Sequence, residues 1–267
     1  MKRNFYNKVL LVTGASGNLG TAICQKFLEE GCRIAALDMK QEALSSLEQK
    51  LGAHQEQLLS IVCDITNKES CEHAINKVLQ QWGRIDGLVN NAGITHIERY
   101  TNMDKTKGIT RRIMEVNFFG AVNCTELTLA EIRKNKGVLV NISSVAGFAP
   151  LLGRTAYAAS KHALHGFFES LYCELQEEDV HVLMVCPSFI QPPKTVGTTA
   201  QNSIYQNKKT IGQTTSAHSI AHKIYDSCLK NKPLLIAGKT GKIAYWLHRF
   251  FPRIYEQSMI RQLKNAL

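Results

Sequence analysis

Through the first two thirds of the chain, short apolar runs alternate with longer stretches in which apolar residues recur at helical spacing. The runs are KVLLVTG, RIAALD, LLSIVCD, GLVNNAG, GVLVNIS and VHVLMVCPS, with PLLIAG much later as a candidate last strand. Between them the spacing predicts helices such as Leu19 to Glu30 and Ile113 to Lys134. Strands that are apolar throughout must be covered on both faces, and helical connections make neighbouring strands parallel. The pattern therefore predicts an α/β fold built on a doubly wound parallel sheet. With 267 residues and 44% hydrophobic composition, a single domain is enough to hold that core.

After Cys186 the alternation stops. The stretch PPKTVGTTAQNSIYQNKKTIGQTTS is rich in Thr, Gln, Asn and Gly and has no period, so residues 191–215 read as a long excursion from the sheet. Such loops are uncommon in compact domains, and this one follows the carboxyl end of a strand, where open α/β sheets bind ligands; a substrate lid is favoured over a plain surface insertion. Further on, KIAYWLHRFFPRIYEQSMIRQL puts Ile243, Trp246, Leu247, Phe250 and Phe251 on one helical face, with a break at Pro252. Residues 240–267 are thus expected to be an amphipathic helical extension. The leading expectation is that its stripe packs on the protein's own core or on another subunit.

Charge changes the picture of this last quarter. Residues 1–193 carry 20 Lys and Arg against 20 Asp and Glu, whereas 194–267 carry 12 against 2, so the whole net charge of +10 lies there. Two further readings follow: contact with an anionic membrane surface, or attraction of an anionic substrate such as an acyl thioester. No recognition motif accompanies the charge, which argues against nucleic acid. The amino terminus lacks an apolar signal core, and no apolar run reaches the ~20 residues needed to cross a bilayer, so a cytosolic protein is expected, with peripheral placement on a membrane surface as the further reading. Eight cysteines are scattered singly without a CxxC pair and read as reduced core thiols. His218 and His222 in HSIAH have metal-ligand spacing but lack the glutamate of HExxH; no metal is expected.

Two stretches carry candidate chemistry. VTGASGNLG follows the first strand and opens the first helix, where glycines let the backbone approach a pyrophosphate at the positive end of the helix. Asp38 closes the second strand eighteen residues after Gly20; a carboxylate there accepts the adenosine ribose hydroxyls and repels a 2′-phosphate, favouring NAD over NADP, with Lys40 nearby as a complication. Asp64 ends the third strand, as an acceptor for the adenine amino group, as a helix N-cap, or both. The second stretch is YAASK, which sets Tyr157 and Lys161 at i and i+4 on one helical face.

With these motifs goes a series in fixed order: TGASGNLG, CDI, NNAG at 90–93, Asn117 in MEVNFFG, Ser143 and Ser144 in NISSVAG, and YAASK. In that order the chain resembles the short-chain dehydrogenase/reductase family, compact branch, from about Lys8 to Ile190. The resemblance implies a Rossmann-like domain over 1–267 and hydride transfer between NAD(H) and an alcohol or ketone. It makes Tyr157 the general acid/base, with its phenolate favoured by Lys161, since a free phenol of pKa ~10 is a poor base at neutral pH. Ser144, thirteen residues before Tyr157, would hold the substrate oxygen, ahead of Ser143. Asn117 would keep a relay water in line with Lys161. The implied cofactor site is Gly14, Ser16, Gly17, Asn18, Leu19, Asp38, Asp64, Ile65, Asn91, Ala92 and Gly93, with Tyr157, Lys161 and Ile190 on the nicotinamide side. Subunit association, as a homodimer or homotetramer, is implied on the helices carrying Asn117 and Tyr157. The latter offers Ala163, Leu164, Phe167, Phe168, Leu171 and Tyr172, although burial within the monomer also accounts for them.

Two departures from the family pattern matter. The glycines are spaced TGxxGxxG, as in the extended sugar-nucleotide branch, and Asn18 stands in the middle glycine's place; asparagine tolerates positive φ, so the turn is expected to survive. In CPSFIQPP, Ser188 replaces a glycine and Pro192 a threonine, leaving Ile190 to meet the carboxamide through its backbone. The substrate expected is a bulky apolar alcohol or ketone, of steroid, retinoid or lipid type. NADP-dependent carbonyl reduction, a non-catalytic nucleotide sensor and an epimerase are the alternatives.

Overall fold

A computed structural model describes residues 3–102, 104, 107–192 and 214–265. Each apolar run becomes a strand: β1 Val9–Thr13, β2 Arg33–Asp38, β3 Leu58–Val62, β4 Gly87–Asn90, β5 Val138–Ile142, β6 His181–Pro187 and β7 Leu234–Ala237. They form one seven-stranded sheet in the order β3-β2-β1-β4-β5-β6-β7, every neighbouring pair parallel. The chain winds outward from β1 to β3, returns to β4 beside β1, and then winds the other way. The reversal leaves a crevice at the carboxyl ends of β1 and β4.

Helices α1 Asn18–Glu29, α2 Gln41–Lys50, α3 Lys68–Trp82, α4 Ile109–Met114, α5 Gly120–Lys134, α6 Thr155–Glu174 and α7 Ala217–Leu229 cover the two faces. Leu10 and Val12 of β1 join Ile23 and Phe27 of α1 and Ile220 and Ile224 of α7 in one core. Val9 and Leu11 point the other way, to Ile75 and Val78 of α3 and Leu164 and Phe168 of α6. Alternate side chains of one strand thus serve two cores, which is why β1 is buried along its whole length.

Several expectations are refined. The first helix begins at Asn18 and Glu30 is its C-cap. The helix expected from Ile113 starts at Ile109 and is interrupted by a π-helical turn, Glu115–Phe119, which contains Asn117. Of the six apolar residues singled out on α6, Leu164 and Phe168 are core residues, whereas Ala163, Phe167, Leu171 and Tyr172 are half-buried. Seven cysteines are buried, but Cys173 is exposed on α6. Most of the expected lid lies at 193–213, outside the described residues; Thr215 bridges back to Ile190.

For the C-terminal stripe, the expectation of packing on the protein's own core is corrected. Helices α8 Lys239–Phe250 and α9 Pro252–Asn265 form as expected, but the apolar stripe does not pack on the body of the protein. A Cβ on Gly241 would lie 3.3 Å from Val145 and 3.2 Å from Ile236, and Tyr245 sets its ring 5.0 Å from Phe148. His248 turns toward the buried Tyr255, whose hydroxyl donates to Pro150 O at 3.2 Å. Positions 241, 245 and 248 are one helical face, and Ile243, Trp246 and Phe250 lie about 180° around the helix from it. These three are accordingly exposed. Among the described residues no helix is long and apolar enough to cross a membrane.

Candidate active site

At the crevice, Gly14 takes φ +61°, and a Cβ there would come within 2.8 Å of Ala92 Cα; one on Gly20 would come within 2.3 Å of Gly14 O. The loop can be this tight only without side chains at those two positions. Asn18 needs no left-handed backbone, contrary to expectation: it is the first residue of α1, after an extended Gly17. Its side chain instead donates from Nδ2 to Gln191 O at 2.7 Å, tying the glycine loop to the residues just after Ile190.

The NNAG segment is stitched to the same loop. Asn91 Nδ2 donates to Thr13 O at 2.9 Å and Gly14 O at 3.0 Å, and the N–H groups of Asn91 and Ala92 both donate to Thr13 Oγ at 3.0 Å. Asp38 is held by Ser16, whose N–H and Oγ donate to Oδ2 at 3.2 and 2.5 Å, and by Met39 N–H on Oδ1 at 2.8 Å. Asp64 accepts Thr66 N–H and Oγ on Oδ1 at 2.9 and 2.8 Å. It is not the N-cap of the next helix, which is Asn67, accepting Ser70 N–H at 3.0 Å.

Gly14, Ser16, Gly17, Asn18, Leu19, Asp38, Asp64, Ile65, Asn91, Ala92 and Gly93 all line one cleft of about 680 Å³. Gly20 of the glycine loop and Met39, Cys63, Thr66, Ile94, Arg112, Glu115 and Val116 complete the lining; Met39, Cys63 and Thr66 come in as neighbours of Asp38 and Asp64, while Ile94, Arg112, Glu115 and Val116 are brought in by crossovers that carry no local signal and were missed from sequence. Thr13 was also missed, although a hydroxyl ending an apolar strand just before a glycine loop is a usable clue. The glycine loop at a helix N-terminus and the acceptor on Asp38 fit the pyrophosphate and ribose of a dinucleotide.

Tyr157, Lys161 and Ile190 lie outside that lining, toward β5 and β6. Lys161 is buried, donates from Nζ to Ile142 O at 2.8 Å, and stands 5.7 Å from the centre of the Tyr157 ring. Burial lowers its pKa to about 8, with Cys186 acting the other way. Arg154 Cζ is also near the phenol, 5.8 Å from the ring centre, a second cation that sequence reading missed despite its i−3 spacing. A Cβ on Gly93 would lie 3.6 Å from Lys161 Nζ and 3.3 Å from Asn117 Oδ1, so both side chains converge on that glycine.

The Asn117 side chain is already engaged. Ile94 N–H donates to its Oδ1 at 2.7 Å, and its Nδ2 donates to Ile94 O at 3.0 Å and Ser160 Oγ at 2.9 Å. It thereby joins the tail of β4 to the turn of α6 that carries Tyr157 and Lys161. The two serines divide clearly. Ser143 is buried, with Oγ 3.5 Å from Lys161 O, whereas Ser144 is half-buried and accepts Ala146 N–H on Oγ at 3.2 Å. One turn beyond Lys161, His165 Nε2 is 3.4 Å from Cys186 Sγ and its Nδ1 is 2.6 Å from Glu169 Oε1, extending the polar row of α6 outward. Ile190 pairs with Thr215 through bonds made by Phe189 O and Gln191 N–H, which use neither its own N–H nor its own carbonyl.

A family model described as short chain dehydrogenase matches residues 8–203, well over half of the chain. The protein belongs to the short-chain dehydrogenase/reductase family. Its relatives include dehydrogenase/reductase SDR family member 7B of Bos taurus, 31% identical over 275 residues, covering 99% of this chain and 84% of that one. A dehydrogenase/reductase SDR family protein 7-like of Dictyostelium discoideum is 30% identical over 260 residues, covering 95% and 81%. Among solved structures, a short-chain dehydrogenase from Streptomyces avermitilis superposes with TM-score 0.80 at 26% identity over 97% of this chain and 98% of that one. One from Burkholderia phymatum, solved in complex with NAD, gives TM-score 0.83 at 19% identity over 94% and 96%, a likeness of fold. The chain is thus an oxidoreductase of this family with a Rossmann-like sheet.

The lowered pKa of Lys161 has a measurable consequence. Below pH 8 the folded and unfolded states both hold the proton and the burial penalty is fully present; between about 8 and 10.5 only the unfolded state holds it, so stability rises with pH. Denaturant unfolding of the parent and of Lys161→Met across that window should show the parent gaining up to ~3 kcal/mol relative to the variant. A difference that stays constant with pH would show that burial does not shift this lysine.

Proposed function

We propose that the protein is an NAD(H)-dependent dehydrogenase or reductase that interconverts a secondary alcohol and a ketone on a bulky apolar substrate. The observation that carries this reading is the pairing of Tyr157 with a buried Lys161, on the helix flanking the cleft that contains Asp38. A bound nicotinamide dinucleotide supplies the hydride acceptor or donor. Tyr157 takes the hydroxyl proton in the oxidative direction and returns it to the carbonyl oxygen in reduction. Two cations, Lys161 and Arg154, favour its phenolate. Ser144 Oγ accepts a backbone N–H through one lone pair, which leaves its own proton to be donated to a substrate oxygen. Asn117 acts by position, fixing the turn from Tyr157 to Lys161 through Ser160, and the expected relay water belongs beside Gly93, where Asn117 and Lys161 meet.

Preference for NAD over NADP is inferred from Asp38, whose carboxylate is held at the rim of the cleft by Ser16 and Met39 and would face a 2′-phosphate with like charge. An apolar substrate is inferred from Val145, Phe148 and Tyr245, which follow Ser144 or pack on the turn it caps.

Tyr157→Phe should lower turnover by ~10² or more on a panel of apolar alcohols and ketones while leaving NADH binding, read by fluorescence titration, within about twofold. Parental turnover in the variant would refute the assignment; NADH binding by a parent that turns over nothing would point to a nucleotide sensor. Asp38→Ser should weaken NAD(H) and shift the NADP(H):NAD(H) ratio of kcat/KM by roughly tenfold or more toward NADP(H). An unchanged ratio would remove Asp38 from cofactor selection.

A further inference from the structure

The C-terminal helix pair ends in a surface that nothing among the described residues covers. Ile243, Trp246 and Phe250 form a row on α8 that is 65%, 57% and 61% exposed, and Phe251 and Ile254 continue it across the break at Pro252. The Trp246 and Phe250 rings are stacked, 5.6 Å between centres and 6° between planes, so the two side chains form one continuous apolar surface facing solvent. Around it, Lys239, Lys242, Arg249, Arg253 and Arg261 are exposed. Over residues 239–265 there are six Lys and Arg against the single acid Glu256.

We propose that α8 and α9 dock on an anionic phospholipid bilayer. Charge selects this occupant. A second copy placed on the same patch by two-fold symmetry would set one cationic rim against another, whereas an anionic headgroup layer neutralises it. The chemistry of the row agrees, because Trp and Phe enter the boundary between headgroups and acyl chains while Lys and Arg reach back to the phosphates along their apolar stems. Neither helix spans the bilayer; both lie in its surface.

The inner face of the pair fixes what such docking would orient. Gly241 and Tyr245 rest on Val145 and Phe148, and Tyr255 holds Pro150, so the helices sit on the segment that directly follows Ser144. A protein lying on the membrane through α8 and α9 has the substrate end of its site next to the lipid. Delivery of an apolar carbonyl from the bilayer rests on the oxidoreductase reading; attachment itself does not, and vesicle binding needs no turnover.

The test is co-sedimentation of the full-length protein with vesicles of phosphatidylcholine alone or mixed with phosphatidylserine. The bound fraction should be roughly tenfold higher on the anionic vesicles and should fall as salt shortens the range of the attraction. Trp246→Asp with Phe250→Asp should reduce it about tenfold, as should Lys242→Glu with Arg249→Glu and Arg253→Glu, because apolar insertion and charge attraction act together. All five side chains are exposed, so both variants should keep the parent's circular dichroism and thermal midpoint, which makes loss of binding attributable to the surface. Equal binding to neutral and anionic vesicles, or full binding by both variants, would overturn the proposal. So would a parent that does not bind vesicles but sediments as a dimer that Trp246→Asp with Phe250→Asp converts to monomer, since the face would then belong to a second copy.

Discussion

One hydroxyl holds the crevice together. Thr13 Oγ accepts the N–H groups of Asn91 and Ala92 where β1 and β4 end side by side, and Asn91 returns two bonds to the carbonyls of Thr13 and Gly14. Without those bonds the backbone polar groups at the sheet's reversal point would be buried without partners. With them, Gly14 is drawn so close to Ala92 that no side chain fits between. The shape of the cleft and the direction of α1 follow from that approach, as does the place of Asp38, which Ser16 of the same loop holds.

The Tyr157 end of the site is built around a buried charge. Lys161 makes its hydrogen bond to Ile142 O, the last residue of β5, deep enough that its pKa falls to about 8. An ammonium in that position lowers stability near neutral pH, and it is kept beside the one phenol whose ionised form it favours. The surroundings keep the pair in place: Asn117 fixes Ser160 from the π-helical turn, and Ser160 donates to the carbonyl of Tyr157. A local instability is thus held in position by neutral hydrogen bonds.

Beyond the sheet, the chain uses helices α8 and α9 in two directions. Their inner residues are a glycine and aromatics that settle on the turn after Ser144, and their outer residues are the larger apolar ones. A helix that only needed to close the core would place them the other way round. The concentration of positive charge in the same quarter of the sequence gives that outward face a chemical character.

Strands, their parallel pairing and most of the cleft could be read from sequence, because continuous apolar runs must be covered on both faces and because the glycine loop, Asp38 and YAASK act through local spacing. The parts given to Asn117 and to Ser144 over Ser143 came from the family resemblance, and spacing alone did not supply them; that Asn117 falls within a π-helical turn was decided by the fold. Tertiary structure decided what depends on contacts between distant segments. Arg154 lies over the same ring as Lys161 only because of the way the chain enters α6. Asn18 serves as a tether to Gln191 rather than as a left-handed residue, since the loop's one positive φ falls on Gly14. Most clearly, a helical pattern states that one face is apolar but not which way it points. That was set by Gly241 and Tyr245 fitting against Val145 and Phe148, which turned Trp246 and Phe250 to the outside.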